Sequence, residues 1–301
     1  MGGSFRVNLG IPNLPPSLTL PHKGGGNRPA VADAQHEIFA GNRASGHVVL
    51  AVAVEGGTTR RRRVHEDGSL RVRFPNASGA TLEAVLVNTA GGMAGGDRFD
   101  VSLTVGEGAS LVAGTAAAEK IYRSNGPDTD VTLRLAVADV ARLAWLPQET
   151  ILFDQARLTR RIDVDLAERA SLVMAEALVF GRSAMGEAVE QGLVADRWRL
   201  RRGGRLVFAE NTRLDGTIAD KMRQLAVAGG GIAVATVLIA PGDDTLVQSV
   251  RALEFAGEVG ISAWNGIAVV RLCAANGAAL RRDLTAVLAA LGQPVPRLWL
   301  N

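Results

Sequence analysis

The sequence predicts a mainly β fold in which layers of strands stack like the turns of a β-helix or solenoid, with about two α-helices. Apolar and polar residues alternate in three segments of the 301-residue chain, 99–105, 131–137 and 162–166. Alternation over roughly four to eight residues is typical of a strand with one buried face. A recurring phrase and two segments of helical periodicity favour the same fold class.

A short phrase recurs along the chain at intervals of roughly 30 residues. In each copy an apolar residue is followed six positions later by leucine. The copies are VGEGASLV (105–112), VADVARLA (137–144), LAERASLV (166–173), LRRGGRLV (200–207) and VHEDGSLR (64–71). A unit of strand, tight turn and strand at this period predicts stacked β-layers that share one core. Ordinary β-hairpins produce similar phrases, so both interpretations remain open at this point.

Two segments have helical rather than strand periodicity. Asp243 and Asp244 can cap a first helix. Its apolar stripe is Leu246, Val250 and Leu253. The second helix is predicted over 278–291, where Gly292 and Pro294 end it. Its apolar stripe is Leu280, Leu284, Val287, Leu288 and Leu291.

The chain divides into a predicted leader and a predicted domain. Residues 1–33 hold five prolines and six glycines and cannot bury enough apolar surface to fold, so we expect a flexible leader. The alternative is a tether that orders against a partner. Residues 34–301 are predicted to form a single β-rich domain. We find no signal peptide, and the longest apolar run, 232–240, is too short to span a bilayer. We therefore expect a cytoplasmic protein without a membrane partner.

Composition and motifs argue against several classes of protein. The balance of 33 basic and 30 acidic residues does not favour a nucleic-acid partner, and we expect the run Arg60–Arg63 to be a solvated strand. Neither a phosphate-binding loop nor a nucleophile elbow is present. The chain has one cysteine, Cys273, and four histidines that lie singly in the sequence. We therefore expect no tight zinc or nickel site.

Charged and polar residues cluster in four phrases at predicted strand ends. These are GGDRFD (95–100), AEKIYRS (118–124), WLPQETILFD (145–154) and MAEALVFGRSAMGE (174–187). Stacked layers would bring acids and bases of successive phrases into one column. Glu176 is the sharpest case, because its neighbours are apolar or small and a buried carboxylate must be paired or functional. For each single residue, the alternative is a structural ion pair.

The candidate functional residues come from these phrases. The candidate acids are Asp97, Glu149, Asp154, Glu176 and Glu187. The candidate balancing or motif residues are Arg98, Lys120, Tyr122, Arg123, Gln148 and Arg182. The loop GGMAGG (91–96) is rich in glycine, which permits positive φ and close backbone approach. We expect it to turn tightly and to place Asp97 and Arg98 at the edge of a sheet.

The same phrases resemble the urease accessory protein family UreD, called UreH in some bacteria. The resemblance is carried by GGMAGGDRF (91–99), TAAAEKIYRS (115–124), WLPQETILFDQA (145–156), GRSAMGE (181–187) and PRLW (296–299). Five phrases in the family's order, within residues 38–301, are specific together although each alone is weak. The resemblance implies a β-rich, helix-like stack of strands with two helices.

The resemblance also implies a function. Such a protein is not an enzyme but a chaperone that binds UreF, through it the GTPase UreG, and docks on apo-urease so that nickel enters the active site. We expect no tightly bound cofactor, only nickel in transit along Asp97, Glu149 and Glu176. Carboxylates and water suit transit better than imidazole and thiolate, which hold nickel firmly.

Two alternatives accompany this interpretation. The chain could be a scaffold through which no nickel passes. It could be a carbohydrate-active enzyme on a β-solenoid, although 4% aromatic residues leave few platforms for sugar rings.

The segment around Arg297 and Trp299 is a candidate partner interface, with Trp299 either an interface anchor or a core residue.

Overall fold

The computed structural model describes residues 43–75, 79–182 and 185–300. The predicted leader and its boundary lie outside the described residues. Seventeen strands lie within these ranges, numbered in chain order: β1 Ser45–Glu55, β2 Thr58–Gly68, β3 Leu70–Arg73, β4 Leu82–Asn88, β5 Arg98–Val105, β6 Ser110–Thr115, β7 Glu119–Ile121, β8 Thr129–Val137, β9 Arg142–Trp145, β10 Thr150–Leu152, β11 Arg157–Leu166, β12 Ser171–Phe180, β13 Gln191–Arg202, β14 Arg205–Thr217, β15 Ala233–Ala240, β16 Glu258–Trp264 and β17 Ile267–Ala274.

The strands form two sheets that pack face to face. Sheet A has the order β14-β13-β11-β8-β5-β1-β2, and sheet B has the order β16-β17-β15-β12-β9-β6-β4-β3. The short strand β10 pairs with β7 and with the end of β12. The central strands of both sheets run parallel, because each turn of the chain passes from sheet A to sheet B and returns one layer higher. The result is the predicted β-solenoid, of about four turns.

Three of the five recurring phrases are the corners of this solenoid. Leu111, Leu143 and Leu172 pair in one row of sheet B, as the six-residue spacing predicts. The other two phrases are not solenoid corners. Phrase 200–207 is an antiparallel hairpin within sheet A, and 64–71 crosses between the sheets after an antiparallel strand. Both phrases still join two strands through a tight turn, but their strands pair antiparallel with β1, β4 or each other, so this part of the repeat prediction was wrong.

Three helices accompany the described strands: the first packs against β13 and β14 of sheet A, and the other two cover the outer face of sheet B. They are α1 Ile218–Arg223, α2 Asp244–Arg251 and α3 Gly277–Ala290, followed by a 3-10 turn at Arg297–Leu300. Asp243 caps α2 by accepting a hydrogen bond from the Leu246 N–H at 2.9 Å, as predicted. Leu253 lies beyond the end of α2, and the six-residue helix α1 was not predicted. Within the described ranges, no helix is long and apolar enough to cross a membrane.

Two hydrophobic cores result from this layering. The larger lies between the sheets, and includes Leu50, Leu103, Leu135 and Ile162. The smaller lies between sheet B and the helices α2 and α3. The alternating residues predicted to face inward on β5 are all buried. The sandwich therefore has an apolar interior in which any charged side chain needs a partner.

The arginine run occupies an edge strand. Arg60–Arg63 belong to β2, the outermost strand of sheet A, and all four side chains are exposed. A register shift opposite Ala51 and Val52 interrupts the pairing of β2 with β1 at this point. Charged side chains on an exposed edge disfavour pairing with another chain. The exposure agrees with the predicted solvated strand, and the absence of a nucleic-acid partner stays a prediction.

Trp299 packs into the smaller core. It is 6% exposed, and its Nε1–H donates to the carbonyl oxygen of Leu146 at 3.2 Å. Arg281 on α3 reaches the same region and donates to both carboxylate oxygens of Glu149, at 2.7 and 2.5 Å. In the isolated chain Trp299 is thus a core residue rather than an exposed anchor, whereas Arg297 is exposed. Contact of either residue with a partner stays a prediction.

We expect Trp299→Ala to lower the free energy of unfolding by about 3–5 kcal/mol, because it empties a buried aromatic site. Trp264→Ala is the matched control, since Trp264 is 42% exposed on β16. Urea unfolding of both variants followed by circular dichroism measures the difference. Equal stability of Trp299→Ala and the unaltered protein would contradict the core assignment.

Candidate functional site: an ionic row inside the sandwich

Glu176 lies inside the sandwich, where alternation on β12 points it between the sheets. Its side chain is 7% exposed. One carboxylate oxygen accepts from the Trp145 Nε1–H at 2.7 Å, and the other from Arg160 Nη1 at 2.5 Å. Burial raises the pKa of Glu176, and the charge of Arg160 and the indole hydrogen bond offset only part of that rise.

Arg160 on β11 holds a second buried acid. Its Nε and Nη2 donate to the two oxygens of Asp196 on β13, at 3.1 and 2.5 Å. Burial alone would lower the pKa of the guanidinium, but the charges of Asp196 and Glu176 outweigh it and the pKa lies above its usual value. One permanent cation therefore lies between two buried carboxylates.

Polar residues extend this cluster toward the free edges of both sheets. On sheet B, Glu176 pairs with Thr236 and Thr236 with Arg271. Arg271 crosses to sheet A, where its Nη1 donates to Glu210 at 2.7 Å, while also donating to Thr236 at 2.8 Å. We call Arg160, Glu176, Asp196, Glu210 and Arg271 the ionic row.

Two cavities flank the buried part of the ionic row. The outer cavity, of about 560 Å³, opens between the edge strands β14 and β16 and is lined by Asp196, Glu210 and Arg271. The inner cavity, of about 90 Å³, lies deeper among β5, β8 and β9. Glu176 and Arg160 line both cavities, so this ion pair is the wall between them. Since one water needs about 30 Å³, both can hold water.

Each cavity has a further acid at its far side. Glu119 lines the inner cavity, and burial raises its pKa despite a hydrogen bond from Asn88. Glu258 lines the outer cavity beside Cys273, its cross-strand neighbour. Burial and the charge of Glu258 raise the pKa of the Cys273 thiol, which makes it a poor metal ligand at neutral pH. Five acids and two bases line the two cavities together.

Asp97 and Glu149 do not line either cavity, unlike the predicted path. Asp97 is 5% exposed, and its carboxylate accepts from the backbone N–H groups of Ala44 at 2.9 Å and Ala94 at 2.7 Å. It thereby fixes the glycine-rich loop to the start of sheet A. Glu149 instead faces Arg281 on α3. Gln148, its neighbour, lines the inner cavity and accepts from Arg281 at 3.2 Å.

The remaining candidate acids hold loops. Asp154 accepts from the backbone N–H groups of Glu190 at 2.9 Å and Gln191 at 3.1 Å, where β13 begins. Glu187 pairs with Arg182 at 2.6 Å, and this hydrogen bond lowers the pKa of Glu187. Both contacts lie at the surface or close to it, so these acids have no place in the ionic row.

Several motif residues form an aromatic column at the side of the solenoid. The Tyr122 and Phe153 rings meet edge to face at 5.0 Å, and Arg182 lies 4.3 Å from the centre of the Phe153 ring. The Tyr122 hydroxyl donates to the Gly91 carbonyl oxygen at 2.9 Å. A Cβ on Gly92 would lie 2.4 Å from the Tyr122 ring, which explains the second glycine of the loop. Arg98, Lys120 and Arg123 are exposed, outside the ionic row.

Sequence reasoning missed four members of the ionic row although a signal was present. Arg160 occupies an inward position of the alternating segment 158–166, between Leu158 and Ile162. Asp196 lies likewise between the inward residues Val194 and Trp198. Glu210 and Arg271 were also missed. A charge on the buried face of a strand marks such a site more reliably than a charge at a strand end.

The described residues include no group of three or more His, Cys, Asp or Glu arranged to hold a metal ion. Two of the histidines are nevertheless not isolated. Antiparallel pairing of β1 with β2 brings the His47 and His65 rings to a centroid separation of 5.4 Å. Single spacing in the sequence did not reveal this contact, because separation in sequence does not limit cross-strand contact, and the expectation of no tight zinc or nickel site stays a prediction.

Comparison with known proteins identifies the family. Residues 44–300 match the profile of the family described as "UreD urease accessory protein". The chain is 57% identical over 270 residues to the urease accessory protein UreD of Rhodopseudomonas palustris strain BisA53, covering 89% of this chain and 94% of that protein. It is 58% identical over 278 residues to the UreD of strain BisB5, with 91% and 98% covered. For the UreD of Bradyrhizobium diazoefficiens the identity is 56% over 266 residues, with 88% and 96% covered. As the resemblance of the five phrases predicted, the chain belongs to the UreD family of urease accessory proteins.

Proposed function

We propose that this protein conducts nickel through its interior to apo-urease, as a non-enzymatic member of a cytoplasmic complex with UreF and the GTPase UreG. The ionic row carries the proposal, because its buried part lies between two cavities that can hold water inside an otherwise apolar sandwich. Family membership supports a part in urease maturation.

The chemistry of the ionic row suits a cation in transit. Five carboxylates against two guanidinium groups give the cavities an excess of acid. Oxygen ligands hold nickel more weakly than imidazole or thiolate does, and a conduit must release its ion. Burial raises the pKa of Glu176, so a cation that replaces Arg160 beside it would stabilise the ionised carboxylate.

The wall between the cavities sets a condition on conduction. Arg160 occupies the oxygens of Glu176 and Asp196 that a cation would need. Its guanidinium must therefore turn away from at least one of these carboxylates when nickel passes. In the isolated chain the path is closed at this point.

The geometry gives the carbohydrate-active alternative no support. A glycosidase needs two carboxyl groups that reach the sugar from opposite sides. The nearest buried pair, Glu176 and Asp196, is bridged by Arg160, and the Glu176 carboxylate also accepts from Trp145. Both acids already have partners, so neither is placed to act on a glycosidic bond.

We expect Glu176→Gln to leave complex formation intact and to lower the nickel content of urease several-fold, because the ion loses a carboxylate at the wall. Glu149→Gln is the matched control: it is also a buried acid paired with an arginine, but it lines neither cavity. Each variant is co-expressed with urease and the other accessory proteins. Recovered complex and nickel per urease are then measured.

Two outcomes would contradict conduction through Glu176. Intact complexes with fully loaded urease would remove Glu176 from the path. Lost complexes in both variants would make the buried acids structural, since leaving one charge unpaired costs about 3–5 kcal/mol. The second result would favour the scaffold alternative.

A steric plug offers an independent test. Gly260 on β16 lines the outer cavity, and a Cβ there has no atom within 4 Å. We expect Gly260→Leu to fold normally, to fill the mouth of the cavity and to reduce nickel loading. Ser262→Leu, two residues along the same strand, is the control because Ser262 does not line this cavity. Equal loading of urease by both variants would exclude this mouth from the path.

A further inference from the structure

A pair of histidines lies on the outer face of sheet A, outside the ionic row. His47 is half-buried on β1 and His65 is exposed on β2. Their rings meet at 5.4 Å with an angle of 69° between the ring planes. Edge-to-face packing accounts for this angle. Edge-to-face packing of the two rings does not determine which ligand their nitrogens can bind.

The separation of the rings is close to that of a chelating pair. With metal–nitrogen bonds of about 2.0–2.1 Å, an ion bonded to one nitrogen of each ring sets the ring centres roughly 4.5–5.2 Å apart. The observed separation of the ring centres, 5.4 Å, is slightly larger than this range, and a small rotation of either side chain would bring it into the range. His65 is exposed and His47 is half-buried, so solvent reaches both rings.

Two carboxylates flank the pair on the same face. Asp67 and Asp100 pair with His47 from the strands on either side, and both line the same surface groove as His47. Asp100 forms an ion pair with Arg134, so Asp67 is better placed to support a bound cation. Arg98 and Arg161 also line the groove, and their charge keeps any cation weakly bound.

We infer that His47 and His65 form a weak surface site for a divalent transition-metal ion such as Ni²⁺, with water completing the coordination. Imidazole selects nickel, zinc and copper over magnesium. The site rests on its own geometry; only its use in collecting nickel for the interior path rests on the proposed function. Two protein ligands make an exchangeable site, which agrees with the absence of a three-residue metal group among the described residues.

Titration calorimetry of the full chain with nickel chloride tests the site. We expect His47→Gln and His65→Gln each to weaken the binding attributed to this pair at least ten-fold. The combined variant His22→Gln/His36→Gln is the control, since it removes two imidazoles outside the pair, and it should bind nickel unchanged. Unchanged binding by the His47 and His65 variants, or no binding by the unaltered chain, would overturn the site.

A second measurement needs no variant and so does not depend on variant folding. Nickel, but not magnesium, should protect His47 and His65 of the unaltered chain from diethyl pyrocarbonate, as read by peptide mass. Equal modification with and without nickel would overturn the site. These results concern binding to the isolated chain. The interior path is judged separately, by urease loading in the Glu176 and Gly260 variants.

Discussion

Parallel pairing in constant register is the constraint on which this structure depends. Each turn of the solenoid stacks on the last with no shift, so a side chain at an inward position lies beside its counterparts in the neighbouring strands. An apolar residue at such a position extends the core. A charged residue there faces an apolar interior unless a neighbouring strand supplies its partner. Arg160 and Asp196 meet this condition because they are register partners on β11 and β13.

The buried charges of Arg160, Glu176 and Asp196 are present in the fold although their burial is energetically unfavourable. Removing a cation and two carboxylates from water is costly, and well-packed apolar residues at the same positions are often at least as stable. Three hydrogen bonds from Arg160 and one from Trp145 satisfy the buried oxygens. Stability alone does not explain charges at this depth, which is why the ionic row is the strongest functional candidate in the described part of the chain.

The fold class could be predicted from the sequence, but only part of the ionic row could. Period-two alternation identifies the strands and their buried faces, and the roughly 30-residue recurrence of the corner phrases favours stacked layers, because both follow from local geometry. The site depends on which strands become neighbours across the two sheets. Glu176 could be recognised alone, since a single acid in an apolar strand is conspicuous. Its contact with Arg160 and the reach of Arg271 to Glu210 depend on the packing of one sheet against the other, which no local pattern encodes. Asp97 was wrongly assigned to the interior path because its partners are backbone N–H groups, and the sequence does not indicate which backbone groups a carboxylate contacts.

The contacts of Arg281 and Trp299 also set an order of events during synthesis. They hold Glu149 and Leu146, which lie 132 and 153 residues earlier in the chain. A ribosome adds about 5–20 residues per second, so the middle turn of the solenoid waits many seconds for the residues that fasten it. Closing so long a loop is slow compared with forming the turns themselves. The nascent solenoid therefore spends its first seconds with one side uncovered, and this interval is when it is most exposed to aggregation or to capture by another protein.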